Sequence, residues 1–286
     1  MSDAPLHGQL QPWLAARPAR LACTAFLPAQ DADAARALAA LEQAVLGVLA
    51  DVREPPVAAA KLRWWVDEMA AVGAGTARHP LTQVLARHAA ARQVEAALWR
   101  RPGEAALAAV AAATPVDDAA QWTQALAVCA PWAALEAACW RGPGTDSDQA
   151  AQAAALAWLV GDLLRLPQRR LEQRLPLPMQ RLARHALARD DLAADTPARR
   201  AAVREQCAAL GVRATAIRRA NAPLPLLRGF DLRLDARALR SAARHADPLT
   251  ALARRRSQPG PFALLAAWQA ARASRAGAGR TAPVRA

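Results

Sequence analysis

The sequence predicts an all-α protein built as a single domain. Hydrophobic residues make up 54 % of the 286-residue chain, and much of that share is alanine, the strongest helix former. Aromatic residues, which strands favour, are scarce, because the chain has no Tyr, only 3 Phe and 9 Trp. The 21 prolines divide this helix-rich composition into many separate helices.

The spacing of apolar residues and the positions of Pro and Gly place the elements along the chain. We expect residues 1–28 to be irregular because four prolines interrupt them. Apolar spacing and the Pro and Gly positions then predict a helix over about 32–51, a tryptophan-bearing helix that ends at a break at Gly73 and Gly75, and a helix that begins at Pro80. Further helices are predicted over about 104–113, 117–140, 147–166, 197–221, 236–245 and 261–273. One helical domain covers 29–276 in this scheme, and 277–286 form a disordered tail.

Positive charge is concentrated in the last third of the chain. Residues 199–286 hold 18 Lys+Arg and 4 Asp+Glu, a net charge of +14, whereas the rest of the chain has a net charge of −1. A basic surface attracts the phosphates of diphosphate substrates, anionic lipids or nucleic acid. No nucleic-acid motif is present and aromatic residues are not interleaved with the arginines, which argues against nucleic acid. An anionic membrane surface, contacted through residues 199–286, and a merely solvated basic face remain as alternatives.

The cysteine spacing and the hydropathy indicate the compartment. No two of Cys23, Cys129, Cys139 and Cys207 have the C-x-x-C spacing of a zinc or redox site, so they are typical of buried apolar residues in a reducing compartment. No apolar run approaches the roughly 18 residues that span a bilayer, and the N-terminus lacks a signal-peptide pattern. We therefore expect a cytoplasmic protein that is soluble or peripheral at a membrane.

The most specific stretch of the sequence is a helix with two adjacent tryptophans. Arg53-Glu54-Pro55 precedes it, and Arg78-His79-Pro80-Leu81 follows it after a glycine break. A buried stripe at helical spacing is predicted at Ala58, Leu62, Trp65, Met69 and Val72. Lys61, Trp64 and Glu68 fall on the neighbouring face, which either borders a pocket or carries an ordinary i,i+4 charge pattern.

A second pattern, Asp231-Leu232-Arg233-Leu234-Asp235, has the spacing that places two carboxylates on one helix face. Because it follows Gly229 and precedes the helix predicted from 236, we expect Asp235 to cap that helix. The segment before the cap would then be extended, and no metal site is expected there.

Taken in order, these features resemble the squalene/phytoene synthase family over about residues 26–274. The resemblance rests on Phe26-Leu27-Pro28, the double-tryptophan block, Arg174-Leu175 with Leu177-Pro178, and 261–272 with Trp268. It implies an isoprenoid synthase-like helical bundle around a central cavity. It further implies head-to-head condensation of two prenyl diphosphates, with Mg²⁺ ions held by two aspartate-rich motifs on facing helices.

The chain departs from that family where its acidic motifs should lie. Gly47 and Asp51 match the first motif, so one aspartate is missing, and the second is matched by Asp162, Arg165 and Leu166, followed by a proline and two arginines. The resemblance implies cavity or diphosphate-binding residues at Asp51, Arg53, Glu54, Trp64, Glu68, Asp162, Arg165 and Arg174. Only Asp51 and Asp162 remain as ligands for Mg²⁺, a sparse set for a metal cluster.

Three functions follow from these observations. The first is a degenerate family member that binds an isoprenoid or lipid diphosphate, or a protein partner, with little or no catalysis, like the family branch that resembles respiratory complex I assembly factors. The second is an active prenyltransferase whose altered site uses Asp51, Asp162, Glu54 and Glu68. The third is a basic protein that docks on anionic membranes. A cavity lined by Asp51, Glu54, Trp64 and Asp162 would favour the enzyme, and a filled cavity would remove it.

Overall fold

A computed structural model describes residues 4–52, 54–142, 145–166, 175–257 and 260–281. Over these residues the chain forms α-helices and one 3₁₀ turn, Asp190–Leu192, and no strand, so the all-α prediction is confirmed. The helices in chain order are α1 Ala4–Ala16, α2 Arg20–Thr24, α3 Ala32–Asp51, α4 Pro55–Ala74, α5 Pro80–Arg87, α6 Ala89–Arg92, α7 Ala96–Ala109, α8 Asp118–Trp140, α9 Asp148–Leu164, α10 Met179–Arg184, α11 Pro197–Arg219, α12 Leu226–Ala242, α13 Pro248–Ser257 and α14 Pro261–Thr281.

Two helices, α9 and α12, lie at the centre of the bundle. Both are buried over most of their length, and they pack against each other. α8 packs along α9 on one side, and α11, α13, α14 and α2 surround α12. The large side chains Trp13, Trp99 and Trp132 fill the core between the helices.

The predicted double-tryptophan helix is present as α4. Its buried residues include the whole predicted stripe: Ala58, Leu62, Trp65, Met69 and Val72. Pro55 opens the helix, where a missing N–H costs nothing, and Gly75 ends it with a left-handed φ of 71°. Pro80 likewise opens α5 as expected.

The first 28 residues are not irregular as predicted. They contain α1 and α2, and α1 continues through Pro12. Trp13 and Arg17 from this segment are almost completely buried, so tertiary contacts stabilise the helices against their prolines.

The prediction for residues 222–235 was also wrong. α12 begins at Leu226, ten residues before the predicted start, and places Asp231 and Asp235 one turn apart inside the helix. Gly229, taken as a loop residue, lies within α12, where a Cβ atom would be in ordinary contact with Ala270 of α14 at 3.7 Å. The glycine therefore does not break α12.

The end of the chain is more helical than predicted. α13 was missed, and α14 extends to Thr281, beyond the predicted end at 273 and into the predicted tail, of which 282–286 lie outside the described residues. The four cysteines are free and buried, as predicted. Among the described helices, none has an apolar stretch long enough to cross a membrane.

Candidate functional site

A cavity of about 170 Å³ lies where α3, α9 and α12 meet. α1, α2, α8 and α13 complete its wall. Eight charged side chains line it, namely Arg17, Arg20, Glu42, Glu136, Arg165, Arg228, Asp231 and Arg256. The central cavity implied by the resemblance is therefore present and not filled, but its polar groups are mostly arginines.

One group of charges joins α3, α8 and α12. Arg228 Nη2 lies 2.9 Å from Glu42 Oε2, and Arg228 Nε donates a hydrogen bond to Glu136. Burial raises the pKa of Glu42 in spite of its partner Arg228, and the two carboxylates hold the pKa of Arg228 above its usual range although burial lowers it. Because Arg228 is matched by two acids, this group is structural and leaves little charge for a ligand.

A second group of charges is centred on the two aspartates of α12, Asp231 and Asp235, of which Asp231 lines the cavity. Arg17, only 1 % exposed, has Nη1 2.6 Å from Asp231 Oδ1 and Nη2 3.1 Å from Asp235 Oδ2. Arg20 reaches Asp231 at 2.9 Å, and Arg256 Nε reaches Asp235 Oδ1 at 3.2 Å. The D-x-x-x-D pair does share one face, contrary to prediction, but arginines occupy the positions around it where a metal ion would bind.

A third group lies at the α9 end of the cavity, around Gly161. A Cβ atom at this glycine would lie 3.5 Å from Arg256 Nη1 and 3.8 Å from Arg165 Nη1. The guanidinium groups of Arg165 and Arg256 therefore lie close together beside Gly161, which has no side chain to separate them. Arg165 has its partner Asp51 at 3.5 Å, but Asp51 is 65 % exposed, so water screens the pair. Arg256 is paired through Nε with buried Asp235, and its Nη2 donates a hydrogen bond to the Ala157 carbonyl, so its Nη1 is the group that lies beside Gly161.

Apolar side chains also line the cavity. They include Leu38 and Leu46 of α3, Trp158 of α9 and Leu227 of α12. Trp13 lines it too, and its buried indole N–H has no hydrogen-bond partner among the described residues. An unsatisfied buried donor costs about 1–3 kcal/mol, which a ligand oxygen could recover. The lining is therefore amphipathic, because it combines guanidinium groups with hydrocarbon.

The structure distributes the predicted site residues over three places. Asp51 and Arg165 come together at the rim, as described above. Asp162 is buried at 2 % exposure but does not line the cavity, because the lining positions of α9 are Ala154, Ala157, Trp158 and Gly161. Glu54 is exposed at the start of α4. Arg53 and Arg174 lie outside the described residues.

Glu68 and Trp64 belong to a separate structural unit between α4 and α5. Glu68 Oε1 accepts hydrogen bonds from the backbone N–H groups of Arg78 at 2.7 Å and His79 at 2.8 Å, and from the Thr82 hydroxyl at 2.5 Å. The His79 ring packs edge-on against Trp65, with 4.9 Å between ring centroids. No α4 residue lines this cavity, and the role expected for Trp64 and Glu68 in a binding site stays a prediction.

The described residues do not fit a magnesium cluster. Mg²⁺ requires hard oxygen ligands in octahedral array. The described part of the chain contains no group of three or more His, Cys, Asp or Glu side chains suited to a metal ion. The cavity carboxylates Glu42, Glu136 and Asp231 all bind arginine, and the added positive charge repels a cation.

Sequence reasoning missed most of the residues that build this cavity. Arg17, Arg20, Glu42, Glu136, Arg228 and Arg256 have no local motif, and the two partners of Arg228 lie 186 and 92 residues away in the chain. Asp231 and Asp235 did give a signal in their spacing. With Gly229 in a helix, the same spacing predicts that the two carboxylates share one helix face.

The helices and cavity define the class of fold as that of the squalene synthases. A solved structure, squalene synthase HpnC from Alicyclobacillus acidocaldarius, matches with a TM-score of 0.50 over 98 % of this chain and 97 % of that chain, at 16 % sequence identity. At this identity the likeness shows the fold. No protein-family model and no curated protein sequence matches the chain.

Proposed function

We propose that this protein binds an amphipathic anion, an isoprenoid or lipid carrying a diphosphate or phosphate, with little or no catalysis. The observation that carries the proposal is the convergence of Arg165 and Arg256 over Gly161, in a cavity that apolar side chains also line. Arginine presents a planar array of donors that matches phosphate oxygens two at a time. The fold, shared with a squalene synthase, supports an isoprenoid as the apolar part.

The ligand would be held at its two ends by different forces. The phosphate oxygens would accept charge-assisted hydrogen bonds from Arg165 and Arg256, and the Trp13 indole N–H is a further donor beside them. The hydrocarbon would pack on Leu38, Leu46 and Trp158. Sites for drug-sized ligands measure about 300–1,000 Å³, so a cavity of about 170 Å³ suits a head group with a short apolar stretch.

The charges in the cavity favour binding of a prenyl diphosphate without loss of its diphosphate group. Departure of diphosphate leaves an allylic cation, and head-to-head condensation requires two prenyl chains in one cavity. The cavity is small for two chains, and its carboxylates are held by arginines and do not project as a free ligand set. Fixed arginines can hold a diphosphate in its ground state.

A calorimetric titration tests binding. The protein is titrated with farnesyl diphosphate and with inorganic diphosphate in the presence of a magnesium chelator. We expect Arg165→Met and Gly161→Leu to weaken binding tenfold or more, equivalent to about 1.4 kcal/mol, because one removes a guanidinium and the other fills the space between two. Arg100→Met, at an exposed arginine of α7, is the matched control and should bind as the unmodified chain does. Equal binding by all four proteins would refute the proposed site.

A second assay separates binding from catalysis. The protein is incubated with farnesyl or geranylgeranyl diphosphate and Mg²⁺, and released diphosphate is measured. We expect release no faster than in buffer. Release that disappears in Asp51→Ala would instead support an active prenyltransferase and overturn the proposal.

A further inference from the structure

The last helix, α14, is unusual because it exposes its large apolar residues and buries its small ones. Leu264, Leu265 and Trp268 are 60 %, 47 % and 46 % exposed. The side of α14 that packs against α12 and α2 consists of alanines, namely Ala263, Ala266, Ala267, Ala270 and Ala271. A helix that only needed to cover the core would turn its large residues inward. This orientation indicates that the outer face has a contact of its own.

The three exposed residues form one surface with nearby arginines. At 100° per residue, positions 264, 265, 268, 272 and 275 fall within about a third of a turn of the helix. Arg272 and Arg275 are exposed on this face, and the Arg272 guanidinium lies 4.9 Å from the centre of the Trp268 ring. We call Leu264, Leu265, Trp268, Arg272 and Arg275 the α14 face.

The charge on the last two helices has one sign. The sequence of α13 and α14, residues 248–281, contains no Asp or Glu. Arg254 and Arg255 at the end of α13 are exposed as well, and among the described residues neither they nor Arg275 has a carboxylate partner. A patch with an apolar centre and unpaired arginines around it is complementary to a surface with hydrocarbon beneath a layer of negative charge.

We infer that the α14 face docks this protein on a membrane that contains anionic lipids. Leucine and tryptophan side chains enter the region between head groups and acyl chains, and the arginines bind phosphate and carboxylate groups above them. A second copy of the chain is a poorer occupant, since a two-fold contact would bring the same arginines together without an acid between them. The inference does not depend on the proposed ligand of the cavity.

Vesicle co-sedimentation tests this inference on the full chain. The vesicles contain phosphatidylcholine with about 30 % phosphatidylserine, or phosphatidylcholine alone. We expect binding to the anionic vesicles only, reduced by salt. The double variant Leu264→Ser/Trp268→Ser should lower the partition coefficient tenfold or more, and Val57→Ser/Val212→Ser, which removes two exposed valines on α4 and α11, should not change it.

A second double variant, with its own control, removes arginines in place of apolar side chains. Arg272→Gln/Arg275→Gln should lower binding about 16- to 36-fold and flatten its salt dependence, because each arginine near an anionic surface contributes about a fourfold to sixfold gain in partitioning. Arg100→Gln/Arg101→Gln on α7 makes the same change in net charge at a distant exposed site and should leave binding intact. All substituted positions are exposed or partly exposed, so the fold is expected to persist.

Three outcomes would overturn the inference. The first is equal binding to neutral and anionic vesicles, or none to either. The second is an equal loss of binding in the control variants. The third is a stable dimer in light scattering that becomes monomeric in Leu264→Ser/Trp268→Ser, which would assign the α14 face to a second copy of the chain.

Discussion

Buried arginines neutralise the carboxylates in the centre of this protein. Arg17 binds both Asp231 and Asp235, and Arg228 binds both Glu42 and Glu136. A buried ion pair adds little net stability compared with a hydrocarbon pair, but removing one partner leaves an uncompensated charge. The role of each arginine is therefore best seen from what happens when it alone is removed.

We predict that Arg228→Met destabilises the fold by about 3–5 kcal/mol, because Glu42 and Glu136 lose their shared counterion in a buried position. Unfolding in denaturant followed by circular dichroism measures the change. Adding Glu42→Gln and Glu136→Gln should restore part of the loss, because the stranded charges are then gone. A loss below about 1 kcal/mol in the single variant would show that water reaches the pair.

Asp235 gives the core a dependence on pH. Burial and the neighbouring Asp231 raise its pKa to about 7, in spite of Arg17, whereas pairing with Arg17 and Arg20 keeps the pKa of Asp231 below its usual value although burial raises it. Because the pKa of Asp235 is higher in the folded state, between about pH 4 and 7 the folded chain keeps a proton on this carboxyl group that the unfolded chain has released. Stability from this group is therefore lost as the pH rises through that window.

We predict that Asp235→Asn removes this loss. Relative to the unmodified protein, the variant should gain on the order of 4 kcal/mol between pH 4 and pH 7, and the difference should be constant above that range. Denaturant unfolding at a series of pH values measures it, with Asp33→Asn, an exposed acid of α3, as the control. A stability difference that does not vary with pH would mean that Asp235 is ionised throughout.

At the scale of elements, the connection between α4 and α5 depends on one carboxylate. Glu68, the acid that follows the tryptophan pair, satisfies two backbone N–H groups and a hydroxyl at the turn. The tryptophans and His79 then cover that turn with their rings. The most specific stretch of the sequence thus encodes a local folding unit, in which three donors occupy Oε1 of Glu68.

We predict that Glu68→Ala costs about 2–4 kcal/mol in unfolding free energy, because three donors at the turn lose their acceptor. Glu68→Gln keeps an acceptor oxygen and should cost less than half as much. Diphosphate binding by the folded Glu68→Gln protein should be unchanged. Weaker binding in that variant, with normal stability, would return Glu68 to the functional site.

At the scale of the whole molecule, the two ends of the chain are joined. α2 packs against α12 and α14, and Arg17 and Arg20 near the N-terminus bind the α12 acids more than two hundred residues away. The N-terminal segment is therefore part of the same core as the C-terminal helices. The single domain stays a prediction, and we extend it to include residues 4–28 on the basis of these contacts.

We predict that the chain unfolds in one cooperative transition. Tryptophan fluorescence and circular dichroism should give coincident denaturation curves, because no helix group has a core of its own. Removing residues 1–18 should lower the midpoint for the entire protein, since Trp13 and Arg17 are lost from the core. Two separate transitions would show that the chain consists of two units.

The sequence by itself determined the fold class, the bounds of α3 and the buried stripe of α4. These depend on apolar spacing and on Pro and Gly within a few residues, which act locally. The helices around Pro12 and Gly229 could not be predicted in this way, because burial of Trp13 and contact with Ala270 outweigh local propensity.

Only the tertiary structure decided what lines the cavity. Asp51 and Arg165 are predicted residues that do meet at its rim, but the charges within it join helices that are far apart in sequence. Whether a carboxylate is free to hold a metal ion or is bound by an arginine depends on which helices pack together. The packing results from many weak contacts between residues far apart in the chain, and it therefore cannot be predicted from a short motif.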